Sequence, residues 1–306
     1  MTPFFSVVIP VYNRATVLGD ALRSVLAQTE QDFEIVVVDD GSTDHPERTV
    51  KEISDPRIVL ARQDNGGGGA ARNTGIDIAR GRFIAFLDSD DEFLPHHLST
   101  MRKLLEGTSL VAGYARIVVD RGEGRAFLKP PRAIRNGEDM ATYLLCDRGF
   151  VPTSTMVVER DMAKVVRFHE NLAAAEDTDF AIRLTLAGVR FVMAEKPGVH
   201  WHDLGDPNRL SSGRKNATML QWIDELRPQI PIKAYYGCLG WAYAKYVATQ
   251  DRFAALKLYL NAVLHGCYRP SLAMIVFLQI FLTDGAYRRL ADTAIAKLGA
   301  GLRVRA

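Results

Sequence analysis

The sequence predicts an α/β protein with a mostly parallel central sheet flanked by helices, followed by a helical appendage. Three observations carry that expectation. Short apolar runs, of the kind buried on both faces of a parallel sheet, alternate with segments of helical spacing through the first half of the chain. Charge then shifts along the chain: residues 234–306 hold nine Lys or Arg against three Asp, which leaves 29 basic and 33 acidic residues before them. An acidic body thus carries a basic, apolar tail, and Pro228 and Pro231 add breakers near the change. These features support a boundary between about 210 and 233, and a larger domain over residues 1–215 followed by a helical region over 216–306 is expected.

Each element follows from its pattern. Residues 5–11 form an apolar run, so a buried strand. Residues 15–27 carry helical spacing through Val17, Leu18, Ala21, Leu22, Val25 and Leu26. Residues 33–38 are apolar except for Glu34 and predict a second strand; 57–61 predict a short third and 83–87 a fourth. Helices are expected over 70–79 and from Pro95 to 104, since proline is tolerated in a first helical turn. Further on, 109–119, 154–159 and 189–194 read as strands, and 178–187 and a segment ending at 145 as helices. The tail is helical throughout, and 239–262 has the look of one helix-turn-helix repeat unit, too few to build a solenoid.

Composition narrows the function. A chain of 306 residues with 24% charged and 47% hydrophobic residues is neither disordered nor too small for a core. A net charge of +2 gives no global basis for binding nucleic acid. Three cysteines, Cys146, Cys238 and Cys267, supply neither a disulfide framework nor zinc spacing, which suits a reducing compartment. The N-terminus has no basic region ahead of its apolar run, and the longest apolar segment, 272–282, falls short of the roughly 18 residues of a membrane span. A soluble or peripheral protein is expected.

In an open parallel sheet, ligands bind beyond the carboxyl ends of the strands. Here those ends read Pro10-Val11-Tyr12-Asn13-Arg14, Asp39-Asp40-Gly41-Ser42 and Asp88-Ser89-Asp90-Asp91. Carboxylates packed as in the third repel one another unless a cation joins them, and hard divalent cations prefer oxygen ligands. A solvated acidic loop capping the next helix is the bland alternative. Asp39 and Asp40 can serve turn chemistry, with Ser42 or Thr43 capping a helix, or can accept hydrogen bonds from a ligand. Gly66-Gly67-Gly68-Gly69 loosely fits a dinucleotide fingerprint but does not follow a strand directly, so a flexible loop opening a helix is the better reading. Arg72 has two open roles, contact with a phosphate or base and pairing with a nearby acid. Glu176-Asp177-Thr178-Asp179 either opens a helix, with Asp177 as N-cap, or supplies a general base. His200 and His202 share a face if their strand runs on, with Trp201 on the other.

Taken together, SVVIPVYNR, EIVVVDDGSTD, GGGGAARNTGIDIARGRFIAFLDSDD and AEDTDFAIRL, in this order and spacing, resemble glycosyltransferase family 2, of the GT-A (nucleotide-diphospho-sugar transferase) fold. The resemblance covers about residues 4–212. It implies that Pro10 and Tyr12 flank a nucleobase, that Asp40 accepts its imino hydrogen with Asp39 as neighbour, and that Arg72 contacts base or phosphate. Asp88-Ser89-Asp90 matches the family's DxD element. Asp90 then binds Mn²⁺ or Mg²⁺ bridging the diphosphate, while Asp88 and Ser89 lie nearer the ribose. Asp177 takes the general-base position, with Glu176 second, although the usual preceding glycine is Ala175. His202, followed by Arg209-Leu210-Ser211, matches a late histidine near the metal.

The implied activity is inverting, metal-dependent transfer of a single sugar from a nucleoside-diphosphate sugar, with UDP favoured. The implied acceptor is a saccharide or lipid-linked saccharide in surface polysaccharide synthesis. The QxxRW motif of processive members is missing; Gln221-Trp222 lacks the spacing. The basic tail resembles tails of enzymes acting on lipid-linked acceptors. Its Trp241, Tyr243, Phe277 and Phe281 suit an anionic membrane surface, the inner face of the plasma membrane for a cytoplasmic enzyme. Packing on the catalytic domain or a homodimer contact are the alternatives. Two other classes compete: a catalytically inactive nucleotide-sugar binding module, and a sugar-nucleotidyltransferase, which would carry a Gly-rich basic loop where this chain reads PVYNRATVL.

Overall fold

The computed structural model describes residues 2–122, 126–172, 174–203 and 218–298. The motif Arg209-Leu210-Ser211 and the expected domain boundary at 215 lie outside the described residues. Two compact units are present. One comprises residues 1–119, 128–134 and 151–202; the other comprises 120–127, 135–150 and 203–306.

The first unit opens with β1 (Phe5–Val11), α1 (Ala15–Leu26), β2 (Phe33–Asp39), α2 (Pro46–Ile53), β3 (Ile58–Arg62), α3 (Gly67–Ile78) and β4 (Phe83–Phe86). Then come β5 (Asp91–Phe93), α4 (His97–Leu105), β6 (Val111–Tyr114), β7 (Ile117–Asp120) and β8 (Ala126–Lys129). Next are α5 (Met140–Cys146), which belongs to the second unit, and β9 (Val157–Glu159), α6 (Arg160–Val166), α7 (Glu176–Leu186), β10 (Arg190–Met193) and β11 (Val199–His202) of the first. A seven-stranded sheet runs β10-β6-β9-β4-β1-β2-β3, and a four-stranded sheet runs β5-β11-β7-β8. The large sheet is parallel except at β9, which is antiparallel to both β4 and β6. The mostly parallel sheet flanked by helices is therefore as expected from the sequence.

β2 and β4 are buried at every residue and β1 at all but Pro10, which is why they read as unbroken apolar runs. Helix α3 lies hard against β1: a Cβ on Gly75 would fall 2.3 Å from Val8 Cγ1, so only glycine fits there.

Several elements depart from expectation. A helix after Ser42 or Thr43 was open as turn chemistry, but α2 starts only at Pro46, and its extent had no signal because among its eight residues only Pro46 is buried and its pattern is polar. Residues 109–119 do not form one strand; β6 joins the large sheet and β7 the small one. The acidic segment after β4 is not a capping loop, since Asp91 begins β5 and the N-cap of α4 is His96, with no side-chain cap.

In the second unit, α8 (Met219–Leu226), α9 (Ile232–Cys238), α10 (Ala244–Val247), α11 (Arg252–Leu264), α12 (Pro270–Phe281) and α13 (Asp284–Leu298) follow α5. A Cβ on Gly240 would meet Ala262 Cβ at 2.2 Å, so the two helical segments of the repeat-like unit touch there. Trp241 donates its ring N–H to Gln279 at 2.7 Å, and Phe277 packs on Tyr259 and Phe281. Phe253, Leu264 and Met274 stay exposed. No helix among the described residues is long and apolar enough to cross a membrane.

Candidate active site

Parallel register brings the strand ends together. Val11 of β1 is level with Asp39 of β2, and Asp40 N–H donates to the Val11 carbonyl at 2.9 Å. Pro10 is partly exposed at the end of β1, and Tyr12 just beyond it is 45% exposed. Asn13 ties the loops together. Asn13 N–H donates to Ser42 Oγ at 3.0 Å, and Asn13 Oδ1 accepts from Thr43 N–H at 2.8 Å. Ser42 and Thr43 therefore do not cap α2, whose N-cap is His45.

The two aspartates after β2 have distinct tasks. Asp39 is buried; it accepts from Ser42 N–H at 2.8 Å and pairs with Arg62 at 2.7 Å, so it shapes the turn. Asp40, also buried, accepts from Gln63 Nε2 at 2.8 Å, Gly66 N–H at 2.9 Å and Gly67 N–H at 2.8 Å. It thereby satisfies orphan donors at the start of α3 and places a negative charge on the helix's positive end. A carboxylate offers about four acceptor positions, so about one is left for a ligand. The glycine run is not a loop: α3 begins at Gly67. A Cβ on Gly69 would lie 2.9 Å from the His169 carbonyl, and one on Gly68 would crowd Arg72 Nη1 at 3.1 Å.

Arg72 occupies the centre. Its Nη1 donates to Glu176 at 2.7 Å and its Nη2 to Asp88 at 2.6 Å, so one guanidinium joins the acidic turn after β4 to the start of α7. The side chain is buried beneath the Phe168 ring, and its Nε has no hydrogen-bond partner among the described residues. Burial opposes the charge, but Asp88 and Glu176 outweigh it and hold the guanidinium protonated. Of its two open roles, pairing with acids is the one present.

The turn after β4 closes through Asp91 N–H to the Asp88 carbonyl at 3.1 Å. Ser154 fixes it from below, accepting from Asp88 N–H at 3.2 Å and donating to the buried Asp91. Ser89 is buried, whereas Asp88 and Asp90 are partly exposed. Asp90 meets the guanidinium of Arg14, from the loop after β1. A cationic group already sits on the carboxylate expected to hold a divalent ion. Asp90 is partly exposed and offers the oxygen ligands that such a cation prefers, so it fits one once Arg14 turns away.

Helix α7 starts at Glu176. Its N-cap is Ala175, held at φ 64°, so Asp177 lies in the first turn and is not the cap. The left-handed backbone is what the family's glycine would supply at this position. Asp177 Oδ1 accepts from Thr178 N–H at 2.7 Å. Desolvation pushes its carboxyl up to about 6, with Glu176 and Asp88 adding repulsion that Arg72 and the Thr178 amide only partly offset. Glu176 is committed to Arg72. A carboxyl raised to about 6 can exchange a proton near neutral pH.

His202 lies on β11 and its Nε2 is 2.8 Å from Glu92 Oε1. His200 shares its face as the period of a strand requires, with His200 Nδ1 3.2 Å from His202 Nε2. Glu92, His200 and His202 form one cluster of metal-capable groups, and Asp90 lies outside it. Sequence reasoning placed Arg14 in the strand-end motif and Ser154 in the region that would meet the acceptor, but did not pair either with the acidic turn, nor Glu92 with His202. The two arms that embrace the acidic turn lie far from it in sequence, 76 residues for Arg14 to Asp90 and 66 for Ser154 to Asp88.

The chain matches the family described as glycosyl transferase family 2 over residues 6–167. It is 30% identical over 244 residues to the amylovoran biosynthesis glycosyltransferase AmsB of Erwinia amylovora, covering 76% of this chain and 80% of that one. It is 33% identical over 216 residues to the succinoglycan biosynthesis protein ExoW of Rhizobium meliloti, covering 63% and 67%. In fold it is similar to S. aureus TarS 1–349, crystallised with UDP-GlcNAc, with a TM-score of 0.63 at 18% identity over 98% of this chain and 93% of that one.

Proposed function

The chain belongs to glycosyl transferase family 2 and is a glycosyltransferase; we propose that it moves one sugar, with inversion, from a UDP-sugar to a saccharide or lipid-linked saccharide acceptor. The observation that carries this reading is the Arg72 guanidinium that joins Asp88 at the strand end to Glu176, beside which Asp177 stands in the first turn of α7. The names of AmsB and ExoW, which concern polysaccharide biosynthesis, support a surface polysaccharide as product. TarS, solved with UDP-GlcNAc and with UDP, supports a uridine donor.

Tyr12 stacks on the base, with Pro10 on the same edge, and Asp40 spends its remaining acceptor position on the imino hydrogen; Asp39 holds the loop around it. Asp88 and Ser89 face the ribose, Asp88 being held in place by Arg72. Asp90 holds Mn²⁺ or Mg²⁺, with His202 as the imidazole that the family resemblance adds. When bound, that ion supplies Lewis-acid stabilisation of the leaving diphosphate's charge. Arg14, now on Asp90, is placed to turn its guanidinium to a phosphate oxygen.

Asp177 takes the proton of the acceptor hydroxyl onto its carboxylate. The freed oxygen forms a bond to the anomeric carbon as the bond to the nucleoside diphosphate breaks on the opposite side. The basic, aromatic tail serves a peripheral contact with the cytoplasmic membrane face where a lipid-linked acceptor would lie.

The test is Asp177→Ala assayed for UDP release and for UDP binding. Binding retained with transfer lost is the expected result. Unchanged transfer would remove the base assignment. Binding without transfer by the wild-type chain on every acceptor tried would favour an inactive nucleotide-sugar binding module.

A further inference from the structure

The cluster around His202 has a geometry of its own. Strands β5 and β11 pair antiparallel, with His200 directly across from Glu92 and Trp201 across from Asp91. Directly opposed residues have Cβ atoms about 4.5–5.5 Å apart. Period-two alternation places His202 on the same face, diagonal to Glu92. The imidazoles stand edge to face, 4.4 Å between centroids at 84°. One ligand atom from each of Glu92, His200 and His202 lies within 4.8 Å of the others, and the two closest approaches are 2.8 and 3.2 Å.

We propose that Glu92, His200 and His202 form a three-ligand site that binds a zinc-class divalent ion without any nucleotide. A tetrahedral ion bound at about 2.0–2.1 Å holds its ligand atoms roughly 3.3–3.4 Å apart. The 2.8 and 3.2 Å separations are close to that spacing, the third lies within 4.8 Å, and the ligands come from two paired strands.

The donor set decides the kind of ion. Two imidazole nitrogens and one carboxylate oxygen suit Zn²⁺, Co²⁺ or Ni²⁺, whereas Mg²⁺ favours oxygen and keeps its waters. The side chains of Glu92 and His202 are both partly exposed, so an ion has an entry path from solvent. Three protein ligands with one open position is the arrangement of ion sites that take water or a substrate oxygen. The site shares His202 with the donor-cation reading but rests on the two strands alone, not on that reading.

The test uses the full metal-stripped chain, titrated with Zn²⁺ by calorimetry and with Co²⁺ by visible absorption, without nucleotide. The expected result is one ion per chain and an intense, low-coordination Co²⁺ spectrum. His200→Ala and Glu92→Gln should each weaken Zn²⁺ binding by more than about 100-fold, beyond the about 10- to 100-fold of an outer-shell change. Asp90→Ala, which removes none of the three ligand atoms, should weaken Zn²⁺ binding by less than about 10-fold. Circular dichroism melts confirm that each variant folds; should His200→Ala fail to fold, His200→Gln takes its place. No Zn²⁺ or Co²⁺ binding by the wild-type chain overturns the proposal. So does binding that requires UDP and is lost in Asp90→Ala but kept in His200→Ala, which would leave only the donor's ion. Separately, loss of UDP binding with Zn²⁺ binding intact would count against the donor site and not against this one.

Discussion

Replacing Asp177 by Asn should make the protein more stable and inactive, and the stability gain should depend on pH. Desolvation raises the Asp177 carboxyl from 3.8 to about 6, so the folded state disfavours the charged form. A shift of roughly two units corresponds to about 3 kcal/mol at 1.36 kcal/mol per unit. The side chain is partly exposed, and Asn loses the attraction of Arg72, so about 1–2 kcal/mol is the expected gain at neutral pH. The sign follows from linkage. With the folded pKa above the unfolded one, the Asp177 contribution is fully present below about 4 and is lost as pH rises through about 6. Wild type and Asp177→Asn should therefore unfold alike near pH 4 and diverge by pH 7, the variant melting a few degrees higher. Thermal unfolding at half-unit pH steps reads this directly. In the wild type, log kcat/KM should fall with unit slope below about pH 6. A variant no more stable at pH 7, or an activity profile with its acid limb near pH 4, would refute the idea that a desolvated carboxylate is stored at this site.

Two other variants probe the same framework. Arg72→Ala strands Asp88 and Glu176 as neighbouring carboxylates and should cost about 3–5 kcal/mol in urea unfolding, with Arg72→Lys recovering only part because a point charge cannot fork to both. His97 is buried with neither ring nitrogen hydrogen-bonded among the described residues, and burial depresses its pKa from 6.5 to about 3. Wild-type stability should fall as pH drops from about 6.5 towards 3, whereas His97→Leu should lose that component and stay within about 1 kcal/mol at pH 7, measured by urea unfolding.

The legible parts of the fold were those whose burial is symmetric. β1, β2 and β4 are apolar almost throughout because both of their faces are covered, and their limits lie within a residue or so of the sequence pattern. The extent of helix α2 was illegible because it presents almost nothing to the core, and β5 because three residues, DEF, gain their strand character only by pairing with β11 more than 100 residues away. The run over 109–119 looked continuous because apolar residues do not say which sheet they serve. At the site, motif residues marked their own positions but not their partners. Asp90 announced a cation but not Arg14, and Asp88 announced a turn but not the Ser154 hydroxyl beneath it. Asp40 read as a ligand contact, yet most of its hydrogen-bonding capacity caps α3. Ala175 read as a departure from the family pattern; its φ of 64° shows that the backbone there keeps the left-handed turn that the more usual glycine serves.

The central claim is a nucleotide-sugar site built on the strand ends, and calorimetry with UDP, dTDP and GDP tests it most directly. Each is titrated with and without Mn²⁺ into wild type and Asp90→Ala. The account predicts that UDP binds the wild-type chain in a Mn²⁺-dependent manner and that Asp90→Ala loses this binding while remaining folded. Failure of the folded wild-type chain to bind any of the three, with or without Mn²⁺, would contradict it.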